Sequence, residues 1–268
     1  MAGTAIKLVS ERMIATALRD VPLGGLHFFE TIDSTNDHGL RWASEGAPDM
    51  ALVIANEQTA GRGRGSRSWY TPADSALAFS LVLRPTPGEG TSVPLFSGLG
   101  ALAVCLAVAG RYGIQPAIKW PNDVLIRRRK FCGILAETSW IGEQAESIIL
   151  GIGLNVTARA VPPAELINFP ATSLEAEIGI IPDRIILLHD ILVQFLKWRS
   201  RITTAGFIAA WDERLAFKGE LVEVRGDAGE GILGRVDGLE ADGSLRLKQA
   251  DGLFTTVQFG EVHLRLGI

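Results

Sequence analysis

Three arginines alternate with three glycines in Gln58-Thr-Ala-Gly61-Arg62-Gly63-Arg64-Gly65-Ser-Arg67-Ser-Trp69. Glycine lets backbone N–H groups approach an anion closely. Arginine forks hold phosphate or carboxylate through two parallel hydrogen bonds. Together they offer a clamp for a polyphosphate. The same composition also suits a solvated loop that touches RNA, and local composition does not separate the two. Trp69 favours an ordered loop, because an exposed indole on a floppy one is costly. There is no G-x-x-x-x-G-K-[ST] motif and no G-x-G-x-x-G at a strand-to-helix turn, so a nucleotide would have to be held in another way.

A second segment, Lys119-Trp120-Pro121-Asn122-Asp123, sets polar groups at a strand end, a frequent place for chemistry on α/β scaffolds. Lys130 follows seven residues after Asp123, ahead of Phe131-Cys-Gly133-Ile-Leu. A lysine at the start of an apolar strand can point its ammonium into a cavity and stabilise charge that builds in a transition state. The plainer reading is a hairpin whose basic turn is Arg127-Arg128-Arg129-Lys130. That reading fits Arg127 and Arg128, while Lys130 abuts the strand.

Asp33-Ser34-Thr35-Asn36 supplies the donors and acceptors that a small polar ring needs. It equally suits a helix N-cap, with Ser34 or Thr35 opening a helix at Asp37–Ala43. Gly151-Ile-Gly153-Leu-Asn155 would line a ligand or allow tight sheet packing. His27, His38, His189 and His263 are scattered without metal or triad spacing and read as structural or surface residues. No G-x-S-x-G elbow exists, which disfavours a serine hydrolase.

Strands that would position these groups are expected at Ala51–Ala55, Ala76–Leu83, Ala117–Trp120, Val124–Ile126, Phe131–Thr138 and Ser147–Val156. Phe96–Tyr112 reads as a buried helix closed by Gly113. Pro182-Asp183 opens a long helix with Ile185, Leu188, Leu192 and Phe195 at helical spacing, and another helix follows at Phe207–Leu215. After Lys218, turn signals at Gly226-Asp227, Asp237-Gly238, Asp242-Gly243 and Asp251-Gly252 split five short strands, as in a small β-barrel. This divides the chain into a tail at 1–25, a catalytic domain at 26–217 and a C-terminal domain at 218–268.

The 268 residues are 47% hydrophobic and 21% charged, ordinary for a globular protein. The formal net charge of −4 counts against general nucleic-acid binding. Cys105 and Cys132 lie in apolar surroundings without metal-ligand spacing, which suits a reducing cytoplasm. The charged N-terminus does not read as a signal peptide. The apolar run Val93–Ala109 is short for a membrane span and reads as a core helix, so no membrane partner is expected.

The order and spacing of Asp33-Ser-Thr-Asn36, Gln58-x-x-Gly61-Arg-Gly-Arg64, Lys119-Trp-Pro-Asn-Asp123, Lys130-x-x-Gly133-Ile-Leu and Gly151-Ile-Gly-x-Asn155 resembles the biotin protein ligase family over about residues 26–217. The segment containing Gly238-x-x-x-x-Gly243-x-Leu resembles that family's SH3-like C-terminal domain. The resemblance implies an α/β (α+β) fold: a class II aminoacyl-tRNA synthetase-like catalytic domain, with a mixed sheet and helices on one side, plus an SH3-like β-barrel. It implies an ATP-dependent ligase that makes biotinyl-5′-AMP, with Mg²⁺, and passes biotin to a lysine of a biotin carboxyl carrier domain, as in acetyl-CoA carboxylase.

Carried position by position, Ser34, Thr35, Asn36, Gln58, Gly61, Arg62, Gly63, Arg64, Trp69, Lys130 and Gly133 would bind biotin. Arg64, Asn122, Lys130, Asn155 and Phe169 would bind the nucleotide. Arg62, Arg64, Asp123 and Lys130 would carry the chemistry, and no fixed protein metal site is implied. Only 25 residues precede the catalytic segment, too few for a winged helix, so a DNA-binding repressor role is not expected. Exposed sheet edges would suit a homodimer or the carrier domain. A lipoate ligase, a non-enzymatic biotin sensor and a nucleic-acid module are the alternatives.

Overall fold

Ala76–Leu83 is apolar at all but Ser80 and buried throughout, so both faces of this strand need cover. The computed structural model describes residues 10–90, 92–226, 231–258 and 260–264, and shows how that cover is supplied. The first elements are α1 (Glu11–Ala17), β1 (Gly25–Ile32), α2 (Thr35–Ser44), β2 (Ala51–Gln58) and β3 (Ala76–Leu83). A single turn, α3 (Pro87–Gly90), precedes the long α4 (Leu95–Tyr112). Next come β4 (Ala117–Lys119), β5 (Asp123–Ile126), β6 (Arg129–Ile141) and β7 (Gln144–Asn155), then α5 (Leu174–Ile178), α6 (Arg184–Arg199) and α7 (Ala205–Glu213). The chain finishes with β8 (Leu221–Arg225), β9 (Ile232–Leu239), β10 (Leu245–Lys248), β11 (Phe254–Val257) and β12 (Glu261–Leu264).

Seven strands form a mixed sheet in the order β1-β2-β3-β7-β6-β5-β4, parallel only between β1 and β2. This is the mixed-sheet α/β architecture the sequence implied. Side chains alternate across each strand. Leu77, Phe79 and Leu81 of β3 join Leu150, Ile152 and Leu154 of β7 in the main core, with α4 and α6. The opposite face of the same strands carries Val82 and Ile149, which pack on Ala43 of α2. Helices therefore cover both faces, rather than one as expected. Ser80, Gly151, Gly153 and Asn155 share the α2 face, where the site is built.

α4 is long and apolar enough to cross a membrane by length and composition, yet most of it is buried within the fold. It ends on Gly113 at φ +69°, a left-handed cap that glycine adopts at no steric cost. Glu11–Ala17, inside the segment read as a tail, form α1, whose Ile14 is buried in the main core together with Leu18. Residues 1–9 of that segment lie outside the described residues.

β8 to β12 make a five-stranded antiparallel sheet in the order β11-β10-β9-β8-β12. Asp242-Gly243 and Asp251-Gly252 are turns, with both glycines at positive φ. Asp237-Gly238 is not a turn: β9 runs through it, and the pairing with β10 shifts register there. An extra residue is absorbed as a β-bulge, for which the Asp-Gly signal is ambiguous. Asp227 lies outside the described residues, as do residues 265–268.

His27 and His38 are scattered in sequence but meet in space, ring nitrogens 3.0 Å apart, with His27 stacked on Trp42. Cys105 and Cys132 are free and buried, and burial raises both thiol pKa values well above the ordinary range, which suits inert core residues.

Candidate active site

All fifteen residues nominated from the sequence line one cavity of about 650 Å³, in the range of small-molecule sites. Its two ends differ in chemistry.

The first end is built around uncharged polar side chains. Ser34 caps α2, its hydroxyl accepting from Asp37 N. The N-cap role and a place in the cavity wall therefore coexist in one residue. Gln58 Oε1 accepts from Thr35 N at 2.8 Å and from Thr35 Oγ1 at 3.1 Å, while Gln58 Nε2 donates to Thr71. The Ser80 hydroxyl lies 2.8 Å from Thr35 Oγ1 and 2.6 Å from Asn36 Oδ1. Asn36 Nδ2 donates to Glu137 at 2.9 Å. Sequence reasoning missed Ser80. Its signal was a lone hydroxyl inside an otherwise apolar strand.

The Gly-Arg segment is an ordered ribbon. Gln58 N donates to Thr71 O, Trp69 N to Gly61 O and Gly63 N to Arg67 O, and the turn passes through Gly65 at φ +62°. Arg62 pairs with Asp37 and Glu137, tying the ribbon to α2 and β6. Arg64 Nη1 donates to Gly260 O at 3.0 Å and Arg67 Nη1 to Glu261 at 2.8 Å, tying its tip to β12.

Trp69 forms the middle of the wall. Gly133 and Gly153 face each other across β6 and β7, and the indole occupies the space their side chains would fill. A Cβ on Gly153 would collide with Trp69 Nε1, and one on Gly151 with Asn36 Oδ1. Close approach therefore explains both glycines of Gly151-Ile-Gly153. Trp69 Nε1 is buried without a protein partner, an unmet donor in the cavity wall.

The second end is cationic. The register of β5 on β6 slips between Val124 and Leu125, so Phe131 is passed over. This bulge re-aims Lys130 to the cavity while Phe131 and Cys132 both enter the core. Lys130 Nζ sits 2.6 Å from Asp123 Oδ1 and 5.3 Å from the Trp69 ring centroid. Arg127 and Arg128 form the positive-φ turn of the hairpin and pair with Glu177 and Glu220.

Lys119, only 2% exposed, reaches Asp123 Oδ2 and Glu261 Oε1, each at 3.4 Å, and lies 4.7 Å from the Phe169 ring centroid. Trp120-Pro121 is cis. Asn122 Nδ2 donates to Ile134 O and Asn155 Nδ2 to Thr172 O. Lys130 N donates to Pro170 O, which anchors the loop carrying Phe169. Lys119 and Glu261 were given no role from sequence, and Arg67 none beyond its place in the Gly-Arg clamp. Nothing local shows that Lys119 is buried or that the last strand returns to the cavity.

Among the described residues no three His, Cys, Asp or Glu are grouped as a metal site. The arrangement suits a ligand with a neutral polar ring at one end and anionic groups at the other.

The sequence profile of the biotin/lipoate A/B protein ligase family matches residues 28–155. The biotin--[acetyl-CoA-carboxylase] ligase of Paracoccus denitrificans is 37% identical over 229 residues, spanning 82% of this chain and 92% of that protein. The bifunctional ligase/repressor BirA of Bacillus spizizenii is 34% identical over 250 residues, spanning 91% of this chain and 76% of that protein. Among solved structures, the biotin protein ligase from Aquifex aeolicus in complex with biotin and ATP superposes with a TM-score of 0.75 at 27% identity, covering 91% of this chain and 99% of that one.

Proposed function

The chain belongs to the biotin protein ligase family, and on that premise we propose that it joins biotin to ATP as biotinyl-5′-AMP and then transfers the biotinyl group to a lysine of a biotin carboxyl carrier domain. The observation that carries this reading is the two-ended cavity: a donor–acceptor end at Thr35 and Gln58, and a cationic end at Lys119 and Lys130, with Trp69 between them.

In the first step a biotin carboxylate oxygen attacks the α-phosphorus, the bond to the β-phosphate oxygen breaks, and pyrophosphate leaves. Ser34, Thr35, Asn36 and Gln58 hold the ureido ring. Lys130 meets the carboxylate and the phosphoryl oxygens on which charge builds, a role generally worth about a hundred- to a thousandfold in rate. Arg62 and Arg64 position the ribbon over both, and Asn122, Asn155 and Phe169 face the nucleotide. Mg²⁺ would arrive on the triphosphate, held largely by phosphate oxygens and water, and neutralises their charge when bound.

In the second step the acceptor amine attacks the biotinyl carbonyl, its proton is lost, and AMP leaves with the electron pair of the broken C–O bond. Asp123 orients or accepts from that amine. Closure of the ribbon keeps water from the mixed anhydride. The acceptor is the carrier domain of a carboxylase, as the names of the relatives indicate, and the edge strand β1 gives it a place to approach. Two buried, unpaired thiols suit action in a reducing cytoplasm.

The test is incubation of the purified chain with biotin, ATP, Mg²⁺ and a carrier domain. One biotinyl group on one lysine, dependent on ATP, is the expected product. A carrier that stays unmodified while it is biotinylated by a known ligase contradicts the reading.

A further inference from the structure

The C-terminal sheet sends one carboxylate into the cavity. Glu261 begins β12, and its two oxygens engage different cations, Arg67 at 2.8 Å and Lys119 at 3.4 Å. A buried ammonium needs anionic neighbours, because an unpaired one costs several kcal/mol of desolvation. Of the two carboxylates beside Lys119, Asp123 is shared with Lys130 at 2.6 Å. Glu261 is the one Lys130 does not share. Burial alone would raise its carboxyl pKa, but Lys119 and Arg67 hold it below the ordinary value, so it stays anionic at neutral pH. The residue before it, Gly260, accepts from Arg64. Two consecutive positions, Gly260 and the first residue of the last strand, thus hold two arginines of the ribbon.

Four cations, Arg64, Arg67, Lys119 and Lys130, face two carboxylates, Asp123 and Glu261, across this end of the cavity. The surplus of positive charge is suited to phosphates. We propose that Glu261 is a positioning residue for adenylation, which holds Lys119 and Arg67 at the phosphate end of the cavity. This rests on the ligase reading above. Glu261 acts through the two cations and contributes nothing at the Thr35–Gln58 end.

The experiment is steady-state, biotin-dependent ATP–pyrophosphate exchange on the full chain with Glu261→Gln, Glu261→Asp, Arg67→Gln and the Glu261→Gln/Arg67→Gln double variant, alongside thermal midpoints. Glu261→Gln raises KM for ATP by about tenfold or more, the scale of one lost charge-assisted contact, with KM for biotin held. Glu261→Asp recovers part of the loss, and the double variant is no worse than the poorer single one, because both act on one group. Unchanged KM for ATP overturns the role. A parallel rise in both KM values with a lower midpoint overturns it in favour of general structural support. A fall in KM for ATP overturns it as well, because the carboxylate would then be a competitor of phosphate. If the unaltered chain shows no biotin-dependent exchange, the ligase reading itself fails and this role goes with it.

Discussion

Asp123 and Lys130 meet at 2.6 Å across the register slip that turns Lys130 away from the core. The pair links the end of β4–β5, where Lys119 also lies, to the strand facing Trp69. Removing the ammonium takes away the cation placed between the carboxylate and phosphoryl positions of the substrates. Lys130→Met is expected to slow biotin-dependent pyrophosphate exchange about a hundred- to a thousandfold, while circular dichroism stays unchanged. A rate within threefold of the parent would remove Lys130 from the mechanism.

Gly153→Ala places a methyl against Trp69 Nε1. The indole must leave the groove between Gly133 and Gly153, and the wall between the two ends of the cavity goes with it. Biotin binding is expected to weaken about five- to a hundredfold, from overpacking worth about 1–3 kcal/mol, as read by calorimetric titration. Unaltered titrations would show that the groove does not hold Trp69 in solution.

Ser80→Ala deletes the hydroxyl shared by Thr35 Oγ1 and Asn36 Oδ1, both buried. Leaving such groups short of a partner costs about 1–3 kcal/mol. The prediction is a lower thermal midpoint together with weaker biotin binding and an unchanged KM for ATP, measured by calorimetry and exchange kinetics. A loss confined to ATP would contradict the division of the cavity into two ends.

Arg64→Gly cuts the tie between the ribbon tip and Gly260. The ribbon then closes poorly over the mixed anhydride. Free biotinyl-5′-AMP should accumulate in the medium and label lysines on bystander proteins, read by mass spectrometry. Strict acceptor choice with a tightly held intermediate would contradict the clamp.

His189 Nε2 lies 3.0 Å from Asp20 Oδ2, joining α6 to the segment after α1. That hydrogen bond, larger than the opposing effect of burial, raises the His189 pKa above 6.5, and the same partner lowers that of Asp20. A raised folded-state pKa contributes stability that is complete below the unfolded value and is lost as pH rises through the folded one. The parent midpoint should therefore fall relative to His189→Gln as pH climbs above 6.5, by a small amount because the pair is exposed. Parallel curves would show that the contact contributes nothing.

What could be read in advance was what is contiguous. Ala76–Leu83 is apolar at all but one position, and the structure places the strand over the same residues. Gln58 to Trp69, Lys119 to Asp123 and Lys130 to Gly133 each carry their chemistry in neighbouring residues, and each segment contributes to the cavity wall. β1 went unread because it is an edge strand, only partly buried, whose His27 and Glu30 break the pattern. Contacts between distant segments left no local trace. The aim of Lys130 depends on a bulge, the burial of Lys119 on the last strand, and the meeting of His27 with His38 on how α2 lies on β1. Whether Asp237-Gly238 turns the chain or bulges it depends on its partner strand.

Adenylation of biotin is read out by ATP–pyrophosphate exchange. Purified chain, Mg²⁺ and labelled pyrophosphate are assayed with biotin, with lipoate and with neither. Exchange that appears with biotin alone is the predicted result. Exchange with lipoate instead, or measurable biotin binding with no exchange at all, would contradict it.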